Sequence, residues 1–149
     1  MKIQNDIPDI KQVIPYFQAI FSADSHGVIG YEVLGRLQTY QGVQSLGSFF
    51  HDPGIPDDLK IKVDIHLQTA AFETFLTAQH ETSVFINMNA NHLILDKDGF
   101  IQRLIRFRNR GFDLSRVVVE ITEHDFKGDF GFFERYPETL EIPWRENRH

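Results

Sequence analysis

Three oxygen-bearing side chains stand where predicted strands end or where glycines flank a strand. Glu32 lies between Gly30 and Gly35, Asn87 ends the apolar run S-V-F-I, and Glu120 follows three consecutive valines. Mg²⁺ and Mn²⁺ prefer carboxylate and amide oxygens, so three such ligands from adjacent strands could form one face of an octahedral site. The alternative is that all three are ordinary polar residues at strand ends.

The strand that carries Glu120 organises the chain. Ser115–His124 reads S-R-V-V-V-E-I-T-E-H, and its β-branched run predicts a strand buried on both faces, as in a parallel sheet covered by helices. A carboxylate at the end of such a strand is costly to desolvate unless a metal, a proton or a hydrogen-bond network satisfies it. The carboxyl ends of parallel strands are also where α/β folds place their chemistry.

Further strands are predicted upstream. Ile14–Ser22 and Val28–Leu37 flank the turn sequence A-D-S-H-G and predict an antiparallel hairpin, while Ser83–Met88 predicts a buried strand. The two glycines around Glu32 permit close approach of another backbone or of a ligand. The stretch between the hairpin and the first helix, residues 38–47, is interpreted as a polar connector.

Two main helices are predicted between these strands. The first begins near Pro56 and continues to about Ala78, because its apolar residues follow a 3–4 spacing, although Leu59–Leu67 also alternates as a strand does. The second spans about Asp98 to Arg110, with Asp96 as its cap. The order hairpin, helix, strand, helix, strand implies a parallel sheet with right-handed crossovers.

Composition bounds the class of protein. The chain has 149 residues, no cysteine and a formal charge of −6. This length suits one core, the charge disfavours non-specific nucleic-acid binding, and the absence of a long apolar run predicts a cytoplasmic chain without a membrane segment. If the ligand is anionic, a divalent cation is the obvious means of attracting it.

The chain changes character near its end. Residues 129–149 carry two prolines, clustered aromatic residues and no clean periodicity, so we divide the chain into residues 1–128 and a divergent tail, 129–149. The prolines disfavour regular strand pairing by this tail. A sheet that stops after Glu120 would then leave an unpaired edge beside Val117–Val119, which predicts self-association.

Four ordered segments resemble a known family. Y-F-Q-A-I, E-V-L-G-R-L, F-I-N-M-N and V-E-I-T-E, between Val13 and Gly128, resemble the first half of the EAL-type cyclic-di-GMP phosphodiesterase domain. The chain looks most similar to the divergent EAL-plus-sensor proteins of Gram-positive bacteria. The resemblance implies an α/β fold: a partial (β/α) TIM-like barrel with an N-terminal antiparallel hairpin and parallel β/α units, truncated after about four strands.

The resemblance also implies roles for individual residues. The metal ligands of the family, for Mg²⁺ or Mn²⁺, are matched by Glu32, Asn87 and Glu120. The residues that contact the dinucleotide are matched by Gln18 and by Arg36, the latter through a phosphate. Glu123 matches a glutamate that braces an active-site loop.

Other parts of the family's two-metal site have no match in these 149 residues: a paired-aspartate strand end, a lysine on the next strand and a later glutamate. Three hypotheses follow. The chain is an enzyme that hydrolyses cyclic-di-GMP to linear pGpG, a non-catalytic module that binds the dinucleotide or a partner protein, or a truncated or frameshifted remnant. We expect it to be catalytically incompetent alone.

Overall fold

Six strands form one mixed sheet in the computed structural model, which describes residues 8–78, 81–122 and the backbone of 144–147. The strands are β1 (Val13–Phe21), β2 (Val28–Thr39), β3 (Gly42–Ser45), β4 (Ser83–Asn89), β5 (Val117–Thr122) and β6 (Trp144–Asn147). Their order is β1-β2-β4-β5-β6, and β3 pairs with the end of β2. β1 and β3 run antiparallel to β2, whereas β2, β4, β5 and β6 are parallel neighbours.

The two main predicted helices lie between the strands as predicted, and two shorter helices accompany them. In chain order they are α1 (Gly47–His51), α2 (Asp57–Ala78), α3 (Ala90–Leu95) and α4 (Lys97–Asn109), of which α2 and α4 are the two main ones. The ambiguous start of α2 is helical because one stripe of it is buried against the sheet. Asp96 precedes α4, but its side chain makes no capping hydrogen bond; its carboxylate instead pairs with Arg103 at 2.9 Å. No helix in the described ranges is long and apolar enough to cross a membrane.

One face of the sheet carries the main core. Phe72 of α2 is 1 % exposed, and its ring lies 5.3 Å from that of Phe107 and 5.5 Å from that of Phe112. The core-facing side chains of β5 are Val117, Val119 and Ile121. The intervening Val118 and Glu120 are only partly buried. The prediction of burial on both faces of this strand was therefore wrong, because the helices cover one face only.

Two glycines of β2 permit the close approaches that the sequence predicted. A Cβ on Gly30 would lie 2.5 Å from the carbonyl oxygen of Ser83 and 2.6 Å from the ring of Phe85. A Cβ on Gly35, on the other face, would lie 2.7 Å from Leu67 of α2. Gly30 thus lets β4 lie against β2, and Gly35 lets α2 pack down on the sheet.

The structure corrects two further predictions. Residues 38–47 contain β3 and are not only a connector, so Val13–Thr122 contains five strands where four were predicted. The tail does pair: β6 lies parallel to β5, with Trp144 opposite Val119, because the strand begins just after Pro143 and so keeps all its own amide donors. The edge beside β5 is therefore occupied over Val119–Thr122.

The sheet is open within the described ranges. β1 and β6 are its outer strands and do not pair with each other, so it forms part of a barrel, as predicted. Glu123 lies outside the described residues, as does all of 123–143. The proposed division at residue 128 remains a prediction.

Candidate functional site

Four of the predicted site residues form a row across adjacent strands. Gln18 of β1 is the register partner of Glu32 of β2, and Asn87 of β4 is the register partner of Glu120 of β5. The Asn87 amide nitrogen donates a hydrogen bond of 2.8 Å to the Glu32 carboxylate, which joins the two halves of the row. Since side chains alternate along a strand, and Val33 and Val119 face the core, this row lies on the opposite face of the sheet.

Arg36, a fifth predicted site residue, lies on the same face, further toward the carboxyl end of β2. Its guanidinium is partly buried and donates a hydrogen bond of 2.9 Å to the carbonyl of Gly35. Arg36 and Asn87 both line a cleft of about 1550 Å³ at the carboxyl ends of β2 and β4. The structure therefore brings Arg36, Asn87 and Glu32 to one region, with Gln18 exposed beside them.

The cleft follows from the short contact between two strands. The parallel ladder of β2 and β4 spans only Gly30–Glu32 against Ser83–Phe85. Beyond it, β2 pairs with β3 and not with β4. The resulting gap is bordered by α1, by the first turns of α2 and by α3. It lies where parallel α/β folds place their binding sites.

Sequence reasoning missed a polar row on α2 that also lines this cleft. Lys60, Asp64 and Gln68 are spaced four residues apart, so they share the helix face of the buried Val63 and Leu67. Lys60 is 7 % exposed and Gln68 is 3 % exposed. The sequence did contain a signal for this row, because these polar residues fall on the same 3–4 spacing as the apolar residues that predicted the helix.

Burial perturbs two titratable groups that line the cleft. Desolvation raises the pKa of Asp64 from 3.8 to about 7, against the opposing effects of the Arg103 charge and a hydrogen bond from Gln68. Arg103 links this row to α4, since its guanidinium donates to Asp96 at 2.9 Å and to Gln68 at 3.5 Å. Burial also lowers the pKa of His92, although the Asp57 carboxylate lies 3.5 Å from its Nε2.

The donor set of the row fits a hard divalent cation. Glu32 and Asn87 place a carboxylate and an amide side by side, and Glu120 is on the next strand, in register with Asn87. All three offer oxygen ligands, which suits Mg²⁺, Mn²⁺ or Ca²⁺. Within residues 8–78 and 81–121, no three Asp, Glu or His side chains gather as a metal site, so the amide is needed to complete the set.

The chain belongs to the EAL domain family. A model of that family, described as "EAL domain", matches residues 2–140. The chain is 45 % identical, over 124 residues, to an uncharacterized EAL-domain containing protein, YkuI, of Bacillus subtilis (strain 168). That match covers 83 % of this chain and 30 % of YkuI.

Solved structures agree with this assignment. The crystal structure of Bacillus subtilis YkuI in complex with its substrate c-di-GMP and calcium matches with a TM-score of 0.86 and 41 % identity, over 94 % of this chain and 36 % of that one. The FimX EAL domain of Pseudomonas aeruginosa, bound to c-di-GMP, matches in fold, with a TM-score of 0.65 at 20 % identity. It covers 97 % of this chain and 60 % of that one. The chain thus spans about a third of the length of YkuI.

These matches confirm the predicted family and the partial TIM-like barrel. The chain is related to cyclic-di-GMP phosphodiesterases, and several proteins of this fold have been solved with the dinucleotide. EAL proteins of this fold hold divalent metals: calcium in YkuI, and calcium or manganese in BlrP1 of Klebsiella pneumoniae. The roles of the individual residues in this chain remain predictions.

Proposed function

We propose that this chain forms the N-terminal half of a metal-dependent cyclic-di-GMP site, and that it binds the dinucleotide without hydrolysing it when alone. Glu32, Asn87 and Glu120 hold the divalent cation, Mg²⁺ or Mn²⁺, and Gln18 and Arg36 contact the dinucleotide. The observation that carries the proposal is the alignment of the row on one face, joined by the 2.8 Å hydrogen bond between Asn87 and Glu32.

Each residue of the half site has a physical task. Asn87 donates to one oxygen of the Glu32 carboxylate and holds it in place. The other carboxylate oxygen and the Asn87 amide oxygen then face a common ligand. Arg36 supplies a charged donor for a phosphate, a stronger contact than a neutral hydrogen bond. When bound, the metal would neutralise phosphate charge and lower the pKa of a bound water.

Hydrolysis requires more than this row supplies. Two-metal phosphodiester hydrolysis holds its cations about 3.5–4 Å apart, with ligands for both. The row provides two carboxylates and one amide, enough for one face of one cation. We therefore propose that cleavage to linear pGpG needs β/α units that the 149 residues do not contain.

Calorimetry of the 149-residue chain with cyclic-di-GMP and Mg²⁺, Mn²⁺ or Ca²⁺ tests binding. We expect an affinity no tighter than micromolar, because ordering a half site opposes binding. Arg36→Ala should weaken it about 10- to 100-fold, the effect of losing a charge-assisted hydrogen bond. Arg108→Ala, at an exposed position on α4, is the matched control and should bind as the wild type does. Nanomolar binding that Arg36→Ala abolishes would contradict the expected weakness of the site.

Metal binding and turnover are tested separately. Glu32→Gln keeps an acceptor for Asn87 but removes the charge, and should reduce Mn²⁺ binding measured by electron paramagnetic resonance. Glu81→Gln, at an exposed position, should not. Metal-dependent release of linear pGpG by the wild-type chain, seen by chromatography, would refute the proposal that it is inactive alone.

The remaining parts of the proposal concern the setting of the chain. A cysteine-free sequence related to cyclic-di-GMP proteins supports a cytoplasmic location, and its charge of −6 supports the absence of nucleic-acid partners. Among the described residues, the edges open to self-association are those of β1, β3 and β6 and the start of β5, whose pairing with β6 covers only Val119–Thr122.

A further inference from the structure

Lys60 is a cation on the sheet-facing stripe of α2. It lies one turn before the buried Val63 and the partly buried Asp64, where the helix passes the carboxyl ends of the strands, and it lines the cleft. Only 7 % of it is exposed. Lysine is rarely buried to this extent unless its charge has a partner.

The two carboxylates that could neutralise Lys60 along the helix are directed elsewhere. Asp57, three residues before it, faces the Nε2 of His92 at 3.5 Å. Asp64, four residues after it, accepts a hydrogen bond from Gln68 and interacts with the Arg103 charge. Among the described residues, the side-chain ammonium of Lys60 has no hydrogen bond and no ion pair, and its charge interaction with His92 is unfavourable when that ring is protonated. The nitrogen is not sealed from the cleft, since it is absent from the fully buried atoms that lack a partner.

The cleft offers the missing counter-charge a place to bind. Arg36 lines it as well, from the end of β2, so two cationic side chains border one concave space. Asn87 and Asn89 add amide donors on the β4 side. Desolvation raises the pKa of the Asp64 carboxyl to about 7, which favours its neutral form and makes the inner wall less acidic than the sequence indicates.

We infer that Lys60 is a phosphate-binding residue of this cleft, which contacts a phosphate of the cyclic dinucleotide in addition to the contact made by Arg36. An ammonium is a compact point charge that suits phosphate oxygens, whereas the guanidinium of Arg36 binds them with a planar pair of donors. The identity of the ligand, a cyclic dinucleotide, rests on the proposed function. The presence of a phosphate site at Lys60 does not.

The first test compares variants of the full 149-residue chain in calorimetric titrations with cyclic-di-GMP. Lys60→Met keeps the unbranched apolar stem and removes the charge, and should weaken binding about tenfold, as loss of a charge-assisted contact does. Lys60→Arg should restore most of the affinity. Lys62→Met, on the exposed side of the same helix, is the matched control and should not change it.

The same titrations at two salt concentrations separate charge from packing. Wild-type affinity should fall more steeply with salt than that of Lys60→Met, because one ionic contact is screened in the first case and absent in the second. If the lysine only buries its stem while its ammonium meets water, Lys60→Met binds as tightly as the wild type with the same salt dependence, and the inference is wrong. Urea unfolding checks each variant, and Lys60→Gln replaces Lys60→Met if the latter does not fold.

A second probe keeps this inference distinct from the proposed function. Inorganic pyrophosphate is titrated into the ¹³C-labelled chain, and the Lys60 side-chain methylene signal, assigned by its loss in Lys60→Arg, is followed by NMR. A shift of this signal without binding of cyclic-di-GMP would refute the proposed function and support the phosphate site. No shift with pyrophosphate and no effect of Lys60→Met on the dinucleotide would overturn the inference.

Discussion

Replacing Asp64 by asparagine is expected to remove a pH dependence of folding stability. Burial raises the pKa of this carboxyl from 3.8 to about 7, so the folded protein holds its proton more tightly than the unfolded chain does. Between about pH 4 and pH 7 the unfolded state therefore binds fewer protons, and stability falls as the pH rises. Below and above this window the contribution is constant, because both states carry the same charge.

The size of the effect follows from the shift. A rise from 3.8 to about 7 is roughly three pH units, and each unit corresponds to about 1.4 kcal/mol, which gives an upper value of ~4 kcal/mol. Asp64→Asn keeps the shape and an acceptor for Gln68 but has no proton to lose. The variant should therefore become more stable than the wild type, by about 2–4 kcal/mol, as the pH passes from 4 to 8.

Urea unfolding at half-unit steps from pH 4 to pH 8 measures this difference. Asp24→Asn, at an exposed turn of the hairpin, is the matched control and should follow the wild-type curve. Parallel curves for the wild type and Asp64→Asn would refute the reasoning. A side-chain carboxyl ¹³C titration that places the midpoint of Asp64 near 4 would refute it directly.

Three other changes test the fold. Gly30→Ala should destabilise the chain by about 1–3 kcal/mol or more, because the new methyl group meets the backbone carbonyl of Ser83. Gly35→Ala should cost less, because the Leu67 side chain that its methyl group meets can move. Urea midpoints that rank the two variants in the opposite order would contradict this. Phe72→Ala should cost about 3–5 kcal/mol through the cavity it leaves, and a loss below about 1 kcal/mol in thermal or urea unfolding would show that this ring is not a core residue. The open sheet and the 44 % exposed Tyr16 predict self-association at micromolar concentration; a monodisperse monomer in size-exclusion chromatography with light scattering would count against it.

The order of elements could be predicted from the sequence because the signals are local. Apolar spacing in α2 and the β-branched run of β5 each indicate one element, and the turn residues before Val28 indicate the hairpin. The four ordered segments placed the chain in its family, and with it the partial barrel. Short or weakly patterned elements were missed: β3, α3 and β6 have too few residues for a periodic signal.

The identity of the site residues could also be predicted, but their grouping depended on register. Glu32, Asn87 and Glu120 are far apart in the chain, and only the ladders of β2, β4 and β5 place them on one face. A shift of one residue in either ladder would turn a side chain to the core face. Such a register is set by long-range packing, including the contact that Gly30 permits.

The sequence by itself determined the family, the order of strands and helices and the types of ligand atom available. Only the tertiary structure decided what surrounds those atoms. Lys60 and Asp64 resemble ordinary helix residues in the sequence, yet folding buries Lys60 and partly desolvates the Asp64 carboxyl. The desolvation of a group depends on all the atoms packed around it, and these atoms come from distant parts of the chain.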